Sequence, residues 1–195
     1  MKIIGLTGGI GMGKSTAAAA FQRAGMPVFD ADLAVHRLQG PRGRALAPIE
    51  AAFPGTVRDR QLDRAALRAA VLGKPEALRR LERIVHPMVR QEEKYFLDRS
   101  RRAGVRAVIL DIPLLLETPD LDRVDLIVVV SAPRAVQIER VRRRRKMDRA
   151  QIEAVIARQM PDAQKRGMAD IVIRTGLSRF HTIRAVKRVV GRIFR

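Results

Sequence analysis

Residues 8–15 read Gly8-Gly9-Ile10-Gly11-Met12-Gly13-Lys14-Ser15, with Thr16 next. This satisfies G-x-x-x-x-G-K-[ST], the spacing of a phosphate-binding loop. Each part has its own physical reason. Glycines admit backbone conformations that a side chain blocks, so successive N–H groups can converge on phosphate oxygens. A helix starting near Lys14 adds the partial positive charge of its N-terminus. Lys14 supplies an ammonium for the β- and γ-phosphates, Ser15 a hydroxyl for Mg²⁺, and Thr16 a second hydroxyl near the α-phosphate. Gly8, Gly9, Gly11, Met12, Gly13, Lys14, Ser15 and Thr16 are therefore the candidate nucleotide-binding residues. The bland alternative is a glycine-rich turn that binds nothing. Context argues against it, because a strand pattern precedes the loop and a helix pattern follows.

Working outward, Lys2–Thr7 is a short apolar run suited to a buried strand, and residues 14–24 form an alanine-rich helix pattern. Gly25 caps that helix and Pro27 prevents its continuation, so residues 27–30 read as a second strand. Three more β-branched runs follow, VRAVILD at 105–111, VDLIVVV at 124–130 and ADIVI at 169–173. Strands this apolar are buried on both faces. They predict an α/β fold of the phosphate-loop NTPase type, a five-stranded parallel sheet flanked by helices.

Two stretches interrupt the alternation. Residues 34–86 hold only helix-like pieces, at 42–53, 63–72 and 75–85, and read as a helical insertion. Residues 135–166 carry the densest positive charge, Arg140 and then 142–146, with a new helix starting at Asp148 as N-cap. Residues 178–195 are an amphipathic helix with Ile183, Val186, Val190 and Ile193 on one side. The expected organisation is a core of 1–33, 87–134 and 167–195, an insertion of 34–86, and an Arg-rich segment of 135–166.

At 195 residues, 47% hydrophobic and 30% charged, the chain suits one globular unit with insertions rather than a disordered segment. It has no cysteine, which excludes disulfides, thiolate metal sites and cysteine nucleophiles. No apolar run approaches the ~20 residues that span a bilayer, and the N-terminus lacks a secretory pattern. A cytoplasmic location is expected. Thirty-nine Lys and Arg against twenty Asp and Glu leave a net charge of +19. That field attracts polyanions. Equally, 32 of the basic residues are Arg, spread along the whole chain, as compositional bias alone would leave them.

Further motifs accompany the loop: Asp30-Ala31-Asp32, His86-Pro87, Asp111-Ile112-Pro113-Leu114-Leu115-Leu116-Glu117, residues 137–144, and Ala169-Asp170-Ile171-Val172-Ile173. In this order, over nearly the whole chain, they resemble the dephospho-CoA kinase family. The resemblance implies an adenylate-kinase-like core, with 34–86 binding the acceptor and 135–166 acting as a lid over ATP. It also implies that ATP, with Mg²⁺, phosphorylates the ribose 3′-hydroxyl of dephospho-CoA to give CoA, the last step of CoA biosynthesis. The implied partners are those two substrates, with no specific nucleic acid or membrane, in a monomer or small homo-oligomer. Three departures stand out. Met12 replaces the family's usual Ser, Arg145-Lys146 follow Arg144 where an acidic residue is common, and Arg174-Thr175-Gly176 replaces an Asp-Asn version.

The match makes Asp32 the candidate general base, a carboxylate able to orient a ribose hydroxyl and accept its proton. Capping of the following helix is the alternative for both Asp30 and Asp32. Asp111 ends an apolar strand at the ligand edge of a parallel sheet. It organises the acceptor or a metal-bound water there, or else caps a turn before Pro113. The match sets His86 beside the acceptor; the alternatives are a hinge, since Pro87 kinks or ends a helix, or a satisfied buried histidine. Arg140 and Arg144, four apart on one helix face, match lid arginines that contact ATP, with Arg140 directed at the transferring phosphoryl group. Lys165 is a further match that reaches toward the nucleotide. For Arg142, Arg143 and Arg145 a solvated face accounts for the charge.

Two other readings compete. One is a kinase for another nucleotide-like acceptor, such as a nucleoside monophosphate. The second is a nucleic-acid-dependent ATPase, motivated by the charge. Six Phe, one Tyr and no Trp leave that reading few stacking platforms.

Overall fold

The computed structural model describes residues 1–118, 121–145 and 147–194. In chain order its elements are β1 (Lys2–Thr7), α1 (Lys14–Arg23), β2 (Val28–Asp30), α2 (Ala31–Leu38), α3 (Leu46–Ala52), β3 (Val57–Arg58), β4 (Gln61–Leu62), α4 (Arg64–Val71) and α5 (Pro75–Arg102). There follow β5 (Ala107–Asp111), β6 (Leu126–Ser131), α6 (Arg134–Arg145), α7 (Arg149–Ala157), α8 (Asp162–Gly167), β7 (Ile171–Arg174) and α9 (Arg179–Ile193), with 3-10 turns at Leu115–Glu117 and Leu121–Arg123.

Five strands form one sheet in the order β2-β5-β1-β6-β7. β1 pairs in parallel with both β5 and β6, so Leu6 stands opposite Asp111 on one side and Val128 on the other. β6 pairs in parallel with β7, bringing Ser131 opposite Arg174. The β-branched runs have therefore become doubly buried strands. All five residues of β5 and the last four of β1 are buried. Thr7, Asp111, Ser131 and Arg174 end their strands at one edge of the sheet, the edge where parallel α/β sheets bind ligands.

The chain divides into two compact units, Met1–Phe29 with Ser100–Arg195, and Asp30–Arg99. In the first, α1 and α9 contribute Ala17, Phe21, Val186, Val189 and Ile193 to a core with Ile4, Leu6, Val128, Val130 and Ile173. Full burial of each large side chain contributes about 1.5–3 kcal/mol. α9 begins at Ser178, whose hydroxyl accepts from the His181 amide. α7 begins at Asp148, in a capping box with Gln151.

The second unit packs Leu38, Ala45, Ile49, Phe53, Leu67 and Val85 together. Asp30 and Asp63 cap α2 and α4, accepting from the amides of Leu33 and Ala66. The Glu50 carboxylate accepts from the Gly55 amide at 2.7 Å and the Val57 amide at 2.6 Å, holding the turn after α3. Those amides, Gly55 first, hold its pKa below the usual carboxylate range.

Two features of this unit differ from the sequence reading. Between α3 and α4 the chain forms an antiparallel hairpin, Val57 opposite Leu62, where only helical pieces were expected. Its turn residues Asp59 and Arg60 both take positive φ, 50° and 58°, the geometry of a tight hairpin turn but without the Asn-Gly signature that announces one. The helix expected to kink or end near Pro87 instead runs on as the 28 residues of α5. Pro87 lies on an exposed side of the helix and so does Arg83, the residue whose carbonyl loses its partner. Val85, Met88 and Val89 meanwhile pack on the core of the unit and hold the helix on both sides of the proline. This unit runs from Asp30 to Arg99, and α5 passes through its end without a break at Pro87.

Candidate active site

The loop leaves β1 at Thr7, whose hydroxyl donates to the Pro113 carbonyl at 2.8 Å. Gly11 and Gly13 take φ of +74° and +88°, a region costly for residues with a Cβ. Space is short as well. A Cβ on Gly11 would lie 2.8 Å from the Gln137 carbonyl oxygen. Gly13 is the N-cap of α1, so the first amides of that helix have no intrahelical acceptor and suit an anion.

Three successive loop carbonyls are held by side chains from distant elements. Ile10 O accepts from Gln137 Nε2 at 2.8 Å, Gly11 O from Arg140 Nη1 at 3.4 Å, and Met12 O from Thr175 Oγ1 at 2.6 Å. In a trans peptide the C=O and the next N–H point in opposite directions. Fixing the carbonyls of Ile10 and Met12 therefore turns the amides of Gly11 and Gly13 the other way. Met12 is buried, and its Sδ accepts from the Ala132 amide at 3.1 Å. Its thioether thus ties the loop to the end of β6. Thr175 also accepts from Arg140, whose Nη1 and Nη2 lie 3.2 Å from its hydroxyl and 2.6 Å from its carbonyl.

Lys14 Nζ lies 2.5 Å from Asp111 Oδ1, pairing the start of α1 with the end of β5. Beside the loop is a small cavity of about 70 Å³ bordered by Gly13, Thr16, Thr175 and three arginines, Arg140, Arg144 and Arg179. Burial first, and then the charge of Arg144, push the Arg140 guanidinium below its ordinary value. An anion in this cavity would relieve that strain between like charges.

The site residues read from sequence fall in both units. Lys14, Ser15, Thr16, Asp111, Arg140 and Arg144 come together in the first, with Ser15 exposed at the start of α1. Asp32 and His86 belong to the second, Asp32 exposed in the first turn of α2 and His86 exposed on α5. Asp30 is the cap of α2 rather than a free carboxylate. Lys165 is 1% exposed and its ammonium lies 2.7 Å from Glu117 Oε1, which also accepts from the Met160 amide at 3.3 Å. That pair gives the Glu117 of the DIPLLLE motif a structural task. Arg142 and Arg143 both pair with Glu139 on an exposed face, as a solvated helix surface requires. Lys146 lies outside the described residues. The sequence reading missed Arg179, Thr175 as a loop partner, and Gln159, whose Oε1 accepts from the Ile10 amide at 2.9 Å.

A parallel five-stranded sheet with a phosphate loop at its ligand edge, a lysine poised in that loop and arginines beside it defines a phosphate-loop kinase. Comparison with known proteins narrows the class. A family model described as dephospho-CoA kinase matches residues 2–178. The chain is 52% identical over 197 residues to a dephospho-CoA kinase of Gluconobacter oxydans, covering 99% of this chain and 98% of that one. It is 58% identical over 166 residues to one of Paramagnetospirillum magneticum, covering 85% and 78%. Its fold is similar to the crystal structure of TT1252 from Thermus thermophilus, with a TM-score of 0.83 at 36% identity, over 98% and 97% of the two chains. The chain belongs to the dephospho-CoA kinase family.

Proposed function

We propose that this protein transfers the γ-phosphoryl group of ATP to the ribose 3′-hydroxyl of dephospho-CoA, giving CoA and ADP. The observation that carries this reading is the phosphate loop with its carbonyls held back and Lys14 paired to Asp111, in a chain of this family. The loop amides and Lys14 hold the β- and γ-phosphates. Asp32 orients the 3′-hydroxyl and takes its proton, the ribose oxygen bonds to the γ-phosphorus, and the bond from that phosphorus to the bridging oxygen breaks, leaving its electron pair on ADP. Asp111 orients Lys14, and His86 borders the acceptor.

Arg140 and Arg144 neutralise charge on the triphosphate. Residues 34–86 bind the acceptor and 135–166 form a lid whose closure excludes water, so that hydrolysis does not compete with transfer. Mg²⁺ fits the donors present. Among the described residues no cluster of three acidic or histidine side chains could cage a metal, and Mg²⁺ needs none when phosphates and waters supply most of its ligands. Ser15 would hold it, and bound there it neutralises phosphate charge. Among the described residues, no helix is long and apolar enough to cross a membrane.

The test is ATP consumption by the purified protein with and without dephospho-CoA, with the position of the new phosphate located by NMR. Dephospho-CoA-dependent turnover with a 3′-phosphate product is expected. Preferential transfer to a nucleoside monophosphate would overturn the acceptor assignment.

A further inference from the structure

Ile10 is gripped on both its backbone groups by primary amides from two separate segments. Gln137, 2% exposed near the start of α6, donates from Nε2 to its carbonyl at 2.8 Å. Gln159, in the link between α7 and α8, accepts from its N–H through Oε1 at 2.9 Å. The residue is thus paired as it would be inside a sheet, although it lies in a glycine loop with little stiffness of its own. The link that carries Gln159 is anchored a second time. The neighbouring Met160 amide and Lys165 ammonium both reach Glu117 Oε1, at 3.3 and 2.7 Å.

We propose that Gln159, acting with Gln137, is a positioning residue for the phosphate loop. It fixes the peptides on either side of Ile10 before nucleotide arrives, and it ties the chain between α7 and α8 to the loop. This deepens the kinase reading and rests on ATP as the loop's ligand. The grip acts through preorganisation. A loop already held in its binding conformation loses less freedom when it closes on a triphosphate. A neutral amide suits this place because it supplies an acceptor without adding negative charge near a polyanion.

Calorimetry with ATP and steady-state kinetics on the whole protein test this. Gln159→Leu keeps the bulk and removes the acceptor, so ATP binding and KM for ATP weaken by about 5–10-fold, the scale of one hydrogen bond. KM for dephospho-CoA and kcat at saturating ATP stay within about twofold. Gln159→Glu restores an acceptor but adds a charge, so its ATP affinity is low in dilute buffer and recovers to within about twofold of wild type once salt screens that charge. The effects of Gln137→Met and Gln159→Leu combine to less than their sum, because both act on one residue. ATP affinity unchanged in Gln159→Leu, an equal loss for both substrates, or a Glu variant that salt does not rescue overturns the proposal alone. Wild-type protein that binds no ATP overturns the kinase reading with it.

Discussion

The Lys14 ammonium lies 2.5 Å from Asp111 Oδ1, with the lysine side chain 16% exposed and the carboxylate 4%. The pair joins the first residue of α1 to the last residue of β5, a strand hydrogen-bonded to β1. Asp111 is thus the counter-charge on which Lys14 rests. An arriving triphosphate competes for the same ammonium.

Asp111→Asn removes that competitor. ATP affinity stays within about threefold of wild type or improves, while kcat falls about 100-fold, equivalent to about 2.7 kcal/mol of transition-state stabilisation. Calorimetry and steady-state rates check both parts. Weakened ATP binding with normal turnover contradicts the pairing as described.

Asp32→Asn retains ATP binding and loses turnover by about 10²–10⁴-fold, the usual contribution of a general base. Single-turnover measurements with both substrates saturating isolate the chemical step. Near-wild-type rates in the purified variant remove Asp32 from the role proposed for it.

Thr175 is 2% exposed and its hydroxyl donates to Met12 O. Thr175→Val keeps the shape and leaves that carbonyl without the bond, which costs about 1–2 kcal/mol of folding stability. ATP affinity falls several-fold as well, since the Gly13 amide is no longer oriented from behind. Urea unfolding and ATP titration measure the two effects; unchanged ATP affinity breaks the link between Thr175 and the loop.

The Glu50 carboxyl has a lowered pKa in the folded protein, through the Gly55 amide first and the Val57 amide second. A depressed folded-state value means the stabilisation is complete above the ordinary value of 4.5 and is lost as pH falls through the lower folded value. Glu50→Gln therefore lowers the urea midpoint at neutral pH. The gap from wild type narrows between about pH 5 and pH 2. A gap of constant size over that range would show that the carboxylate's charge is not responsible.

The sheet was legible because its signals are local. Each β-branched run lies within one strand, and the loop motif occupies eight consecutive residues. Lys14, Asp111, Arg140 and Arg144 also stand within local motifs, and the structure pairs Lys14 with Asp111 and sets Arg140 and Arg144 beside one cavity. What escaped depends on neighbours far along the chain. Thr175 is 163 residues from the carbonyl that it holds, and Gln159 is 149 residues from Ile10. Nothing in a Thr after a strand or a Gln after a helix announces such a partner. The hairpin turn at Asp59 and Arg60 carries unfavourable φ on residues that give no warning of it. Pro87 misled in the other direction, since the local rule for proline was overridden by packing of its neighbours.

The bonds from Gln159 to Ile10 and from Lys165 to Glu117 stitch the C-terminal quarter of the chain to the rest without help from the backbone between α6 and α7. Alongside them, β7 is zipped to β6 and α9 shares a core with α1. A protease cut between α6 and α7 would thus leave two fragments that stay docked. Made as separate chains, the larger and smaller pieces should find each other when they are mixed.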